Sequence, residues 1–198
     1  MKMYKALLGP GAAVYGDHVE LTRIRGTGDN EQDLGDDFAS TLGTGGVLGT
    51  KFTWPDYGPK YKPVYLNPAK EDHWKKWLAL YNQKMLSKGT FRNLYTYGYD
   101  VPEGYAIEKD GSMFYAFFAP EASATNGKSP AASPAWRGQL QLRGLDPNKK
   151  YRVTDYVNNK GYGQVTGPLA TLQVEFGQNL LLQATPISDR SSASASVP

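Results

Sequence analysis

NPAKEDHWKKWLALYNQKMLSKGTF, residues 67–91, is the stretch that decides the fold. Asn67 has a side chain that can accept a free amide at the start of a helix. Pro68 suits the first helical position, where no backbone donor is needed. Glu71 and Asp72 stand in the first turn and Lys84 and Lys88 near the last, the arrangement a helix dipole favours. Trp74, Trp77, Leu78, Tyr81 and Met85 recur at helical spacing and form one apolar face. Gly89 is placed to close the helix just past its end. The spacing therefore predicts an amphipathic rod over 67–88, roughly 30 Å long.

Beyond this rod the pattern turns to β. Strands are expected over 112–119, 136–142, 151–156, 163–166, 171–176 and 179–184. Lys109-Asp110-Gly111, Asp146-Pro147-Asn148, Asn158-Asn159-Lys160-Gly161, Gly167-Pro168 and Gly177 separate them as turns. Short strands punctuated this regularly predict an antiparallel sandwich. EASATNGKSPAASPA (121–135) holds only small and polar residues and reads as a long loop between two strands. The tail 188–198, SDRSSASASVP, reads as disordered. Ahead of the rod, TLGTGGVLGTKFTW (41–54) reads as a turn leading into a buried strand over 47–54, stopped by Pro55. Its glycines do not make a phosphate loop, because the GK[ST] ending is missing and no acid follows at dinucleotide-binding distance.

Composition removes several function classes. The 198 residues include no cysteine, so disulfides and thiolate chemistry are out, and a zinc site would need His, Asp or Glu alone. No apolar run approaches the ~20 residues of a membrane helix. A net charge of +3, without a Lys/Arg block, gives no footprint for nucleic acid. The N-terminal MKMYKALLGPGAAVYG has a short apolar patch broken by Gly9, Pro10 and Gly11. It is not expected to act as an export signal, which favours a cytoplasmic chain.

YGDHVELTRIRGTGDNEQDLGDDF (15–38) carries the candidate chemistry: seven carboxylates and one of two histidines, beside two arginines. In a strand His18 and Glu20 share a face, with Asp17 on the other. One reading is a solvated polar strand end. The other is a divalent-metal site in which His18, Glu20 and Asp17, or an acid from GDNEQDLGDD, supply hard ligands. Such a site could activate a bound water against an ester or phosphoester. Trp54, Tyr57 and Tyr61 are candidates for stacking on sugar rings, or for covering the edge of the fold. His73, one position before Trp74, reads as a packed or exposed helix residue and not as a second ligand.

Taken together, YGDHVELT, DDFASTLGTGGVLGTKFTWP, the helix above and LRGLDPNKKYRVTDYVNN…LLLQATP resemble bacterial α-galactosidase-like enzymes of glycoside hydrolase family 36. The resemblance runs from about residue 3 to residue 187. It implies an α+β chain: the last βα units of a (β/α)₈ barrel with one long amphipathic helix over 1–90, then an antiparallel β-sandwich over 91–187, and a tail over 188–198. Such enzymes use two aspartates, as nucleophile and acid/base. The resemblance places both upstream of Met1. Lys70-Glu71-Asp72 matches a Lys-x-Asp motif by letter only, since it falls in the first helical turn. No catalytic residue is therefore expected in the chain. The function implied is a glycosidase-like protein without glycosidase activity alone, with carbohydrate as its partner. The alternative is a stand-alone metal-assisted hydrolase at His18 and Glu20. An incomplete barrel would leave Trp74, Trp77 and Tyr81 uncovered, which predicts a homo-oligomer.

Overall fold

The structure, a computed structural model, describes residues 5, 7–8, 11–15, 19–20, 24–25, 32–33, 38–51, 67–120 and 135–187. The loop expected over 121–135, apart from Ala135, and the tail over 188–198 fall outside the described residues.

The long helix α2 spans Pro68–Lys84. Its start follows the sequence: the Asn67 side chain accepts the Lys70 amide at 3.0 Å, and Pro68 opens the first turn. Its end differs from the expectation. The helix stops at Lys84, and Met85, not Gly89, takes the left-handed conformation, with φ 44°. The Met85 amide closes on the Tyr81 carbonyl at 2.7 Å, and a 3-10 turn, Leu86–Lys88, follows. The cause is tertiary. Leu86 is fully buried, and the break in the helix lets it drop into the core. Gly89 has φ −81°, so a left-handed backbone is not what it supplies. It makes room: a Cβ there would lie 2.5 Å from Ile107 Cγ2 and 3.1 Å from the Glu108 carbonyl.

Short elements precede α2 among the described residues. They are β1 (Val19–Glu20), β2 (Ile24–Arg25), β3 (Gln32–Asp33), the helix α1 (Phe38–Gly43) and β4 (Thr50–Lys51). β1 and β4 pair in parallel, and β2 and β3 pair antiparallel. A parallel pair needs a crossover, and α1 lies on it. Of the strand expected over 47–54, Thr50–Lys51 is described as strand.

Among the described residues the β region holds eight strands: β5 (Thr90–Arg92), β6 (Glu103–Lys109), β7 (Ser112–Phe118), β8 (Trp136–Leu142), β9 (Lys150–Asp155), β10 (Lys160–Thr166), β11 (Ala170–Phe176) and β12 (Asn179–Pro186). They form a six-stranded antiparallel sheet in the order β10-β9-β12-β7-β6-β5 and a two-stranded sheet β11-β8. All six strands expected from the sequence are present within a few residues. β5 and β6 were not foreseen. The β6–β7 hairpin turns on Asp110 and Gly111, both at positive φ (49° and 73°), which suits the right-handed twist of its strands.

The strand patterns dictate three layers. β11 alternates buried and exposed along its length, so it covers a core on one face only. β7 is buried at every position, so both of its faces are covered. Met113, Tyr115 and Phe117 face the β11-β8 sheet, in a core with Leu140, Leu142, Leu172, Val174 and Leu182. Phe114, Ala116 and Phe118 face the other way, in a second core with Phe38, Leu42, Trp77, Leu86 and Leu181. The result is an α+β architecture with one long helix and two antiparallel sheets, as a barrel end joined to a sandwich requires. The aromatic face of α2 is occupied within the chain. Trp77 is buried and stacks on Phe38 at 5.9 Å, and Trp74, Leu80 and Tyr81 are half-buried against the same core. The face expected to seek a second copy is thus largely covered by α1 and the six-stranded sheet.

Candidate functional site

The parallel pair β1–β4 organises the residues singled out from the sequence. Val19 opposes Thr50 and Glu20 opposes Lys51. The Val19 amide donates to the Gly49 carbonyl at 2.8 Å, and the Val47 amide donates to the Val14 carbonyl at 2.8 Å, which extends the pairing toward the strand starts. Because the strands run in parallel, the chain leaves both at the same end. From β1 it enters the acidic window, and from β4 it enters residues 52–66. The carboxylate-rich segment and the aromatic segment therefore begin side by side on neighbouring strands. In βα architectures this C-terminal edge is where sites are built, because its loops can vary without disturbing the sheet.

The predicted residues divide around this edge. Glu20 is the last residue of β1, and only its backbone is described. Asp17 and His18 precede Val19 in sequence and lie outside the described residues, as do Trp54, Tyr57 and Tyr61. The acidic window contains the β2–β3 hairpin, in which Ile24 pairs with Asp33 and Arg25 with Gln32. Among the described residues no group of three or more His, Cys, Asp or Glu side chains is gathered to hold a metal. His73 is a packing residue: its Nε2 accepts the Trp77 indole N–H at 3.2 Å, and its ring meets Phe38 edge-on at 5.8 Å. Lys70, Glu71 and Asp72 lie near the start of α2, and Glu71 pairs with Lys75 at 2.6 Å, so the lettered Lys-x-Asp match stands on a helix and not at a strand end.

A second polar arrangement went unforeseen. The Arg143 guanidinium donates to both Asp100 oxygens (2.8 and 3.2 Å) and to the Leu94 carbonyl (2.9 Å), and it lies 4.8 Å from the centre of the Tyr95 ring. The Thr96 amide donates to Asp100 at 2.5 Å. Burial pushes the Asp100 carboxyl upward, but the Arg143 hydrogen bonds and the Thr96 amide outweigh it and hold the group below its usual range. Burial drives the Tyr95 hydroxyl well above its ordinary value. That hydroxyl donates to the Gln141 carbonyl at 2.6 Å. The clamp fixes a loop that presents Tyr97 and Tyr99 to solvent. A residue pair more than forty positions apart, with no motif around either member, leaves no signal in one sequence.

Comparison with known proteins fits this architecture. No protein-family model matches the chain. The chain is 33% identical over 191 residues to an A-type blood α-D-galactosamine galactosaminidase of Flavonifractor plautii, a match covering 96% of this chain and 14% of that protein. Among solved structures, a family 27 β-L-arabinopyranosidase of Geobacillus stearothermophilus bound to arabinose superposes with a TM-score of 0.54 at 14% identity, over 94% of this chain and 40% of its own. A candidate α-N-acetylgalactosaminidase of Bacillus halodurans gives a TM-score of 0.50 at 11% identity, over 76% of this chain and 30% of its own. The chain spans about one seventh of the curated relative's length. The structural likeness shows a fold shared with part of each of those two enzymes.

Proposed function

We propose that this chain forms the barrel end and the C-terminal β-sandwich of a family 36-type glycosidase acting on α-linked galactosamine or galactose, and has no turnover alone. The loops after β1 and β4 line part of the sugar-binding mouth. The observation that carries this reading is the parallel register of β1 and β4. It starts an acidic segment and an aromatic segment at one sheet edge, and sugar recognition needs both: hydrogen-bond acceptors for hydroxyls and flat apolar faces for the ring. The 33% identity to the galactosaminidase supports the substrate class. In this reading Trp54, Tyr57 and Tyr61 face substrate, and Asp17, His18 and Glu20 border it. Hydrolysis with retention needs two carboxylates about 5–5.5 Å apart across the glycosidic bond, and the chain's own Lys-x-Asp letters stand on α2 instead.

The test has two arms. Purified chain, free of host galactosidase, is assayed with chromogenic α-galactosaminide and α-galactoside, and no turnover above background is expected. Saturation-transfer NMR with galactosamine then reads contact with the chain. It should show transfer that falls on Trp54→Ala combined with Tyr57→Ala. Turnover by the chain alone overturns the first claim, and transfer unmoved by the double change overturns the second.

A further inference from the structure

A cleft of about 780 Å³ opens between α2 and the β9–β12 part of the six-stranded sheet. No residue of β1 or β4 lines it. Its walls follow from strand alternation. On β9 and β12 one face enters the sandwich core through Val153, Leu182 and Ala184, so Thr154, Gln183 and Thr185 face the helix. Lys76 and Lys84 line the opposite wall, two turns apart on α2 and about 12 Å along its axis. Asn159, at the β9–β10 turn, completes the rim. Among the described residues, ammonium groups, amides and hydroxyls line this cleft beside the apolar Ala79, Leu80 and Val157, and no carboxylate does.

Lys84 is the informative residue. It is half-buried, and among the described residues it has no ion-pair partner. Its Nζ donates to Gln183 Oε1 at 2.9 Å and lies 5.7 Å and 6.0 Å from the centres of the Tyr156 and Phe114 rings. A partly desolvated cation normally has a counter-charge. Asp155, next in sequence to the cleft residues Thr154 and Tyr156, accepts the Val157 and Asn158 amides and the Asn158 side chain and makes no ion pair with Lys84. Two of the three ammonium hydrogens remain for an incoming anion. The Gln183 amide, held by Lys84, can donate from its nitrogen, and Thr154 and Asn159 offer further neutral partners of the kind a polyol uses.

We propose that this cleft binds an acidic sugar of the uronic acid class, its carboxylate on Lys84 and its hydroxyls on Gln183, Thr154 and Asn159. The volume suits one or two sugar rings. The neutral amides and hydroxyls favour a sugar over an acidic peptide.

The experiment titrates the full isotope-labelled chain with galacturonate, followed by NMR, with galactose and acetate as controls. Galacturonate should shift the Lys84, Gln183 and Asn159 signals saturably. Galactose and acetate should each bind at least tenfold more weakly, because each supplies only half of the contacts. Lys84→Met keeps the aliphatic stem and should weaken galacturonate at least tenfold, while Lys88→Met, in the 3-10 turn beyond α2, should leave it unchanged. Thermal melts check that both variants fold. If Lys84→Met does not fold, Gln183→Ala, expected to weaken galacturonate at least threefold, replaces it. The proposal is overturned by galacturonate shifting no cleft signal, by acetate binding equally well, by a folded Lys84→Met retaining full affinity, or by a polyglutamate peptide binding more tightly than the sugar.

Discussion

Phe38→Ala asks whether the helical layer and the sandwich unfold as one. Phe38 is wholly buried on α1, stacked on Trp77 with planes 11° apart and in edge contact with His73. Truncating a buried phenylalanine costs about 3–5 kcal/mol, since the surroundings close only partly over the space. The lost ring pair accounts for about 0.5–1.5 kcal/mol of that. In a unit of this size each kcal/mol moves the thermal midpoint by about 2–4 °C, so a fall of roughly 6–20 °C is expected. The important question is which signal falls. Phe114, Ala116 and Phe118 belong to the helix-side core, while Met113, Tyr115 and Phe117 on the same strand belong to the sandwich core. Loosening one face of β7 therefore loosens the other. Far-UV circular dichroism reports mainly the sheets, and tryptophan fluorescence weights the N-terminal part, where three of four tryptophans lie. Both probes should move together in the variant. A sheet signal that keeps the wild-type midpoint while fluorescence drops alone would refute the coupling and make the region before residue 90 an independent unit.

Gly89→Ala should lower stability by about 1–3 kcal/mol through overpacking against Ile107. A denaturant midpoint equal to wild type would show that β6 can yield there. The Asp100–Arg143 clamp gives a pH prediction. The folded-state carboxyl lies below its unfolded value, so its stabilisation is present above pH ~3.9 and is lost as pH falls through the lower folded value. Asp100→Asn should thus cost stability at pH 7 and much less near pH 2, read from denaturant midpoints at each pH. A difference that persists undiminished in acid would assign the effect to packing. If Asp17, His18 and Glu20 hold a divalent ion, Zn²⁺ or Mn²⁺ should raise the thermal midpoint by linkage. The rise should vanish in His18→Ala and Glu20→Ala and persist in Asp72→Ala, whose side chain is exposed on α2. A rise that survives both losses would place the ion elsewhere.

The start of α2 was legible in the sequence and its end was not, and the reason is physical. Asn67 and Pro68 act within one turn, so their effect is readable locally. The end depends on Leu86 entering a core built by strands that come later in the chain, and this overrides the glycine signal at position 89. β6 was missed for a related reason. EGYAIEK carries charges at both ends and little β-branching, and it is a strand because β7 pairs with it along its whole length. β8, β9 and β11 alternate plainly because each covers a core on one face, and they were read within one residue at each end.

The acidic window shows where a single sequence stops. Its charge is visible at once: seven carboxylates beside two arginines must be solvated, paired or bound to a cation. Its placement is not visible, because nothing within residues 15–38 specifies that Val19 and Glu20 will pair with Thr50 and Lys51. That register brings the start of the acidic segment beside the start of the aromatic one. β2 follows β1 in the chain and pairs antiparallel with β3, and the aromatic segment follows β4, the parallel neighbour of β1. In the sugar-binding function proposed above, ligand hydroxyls would replace the water around these carboxylates with hydrogen bonds of the same kind. That exchange is the energetic argument for a polyhydroxylated ligand in the function proposed above.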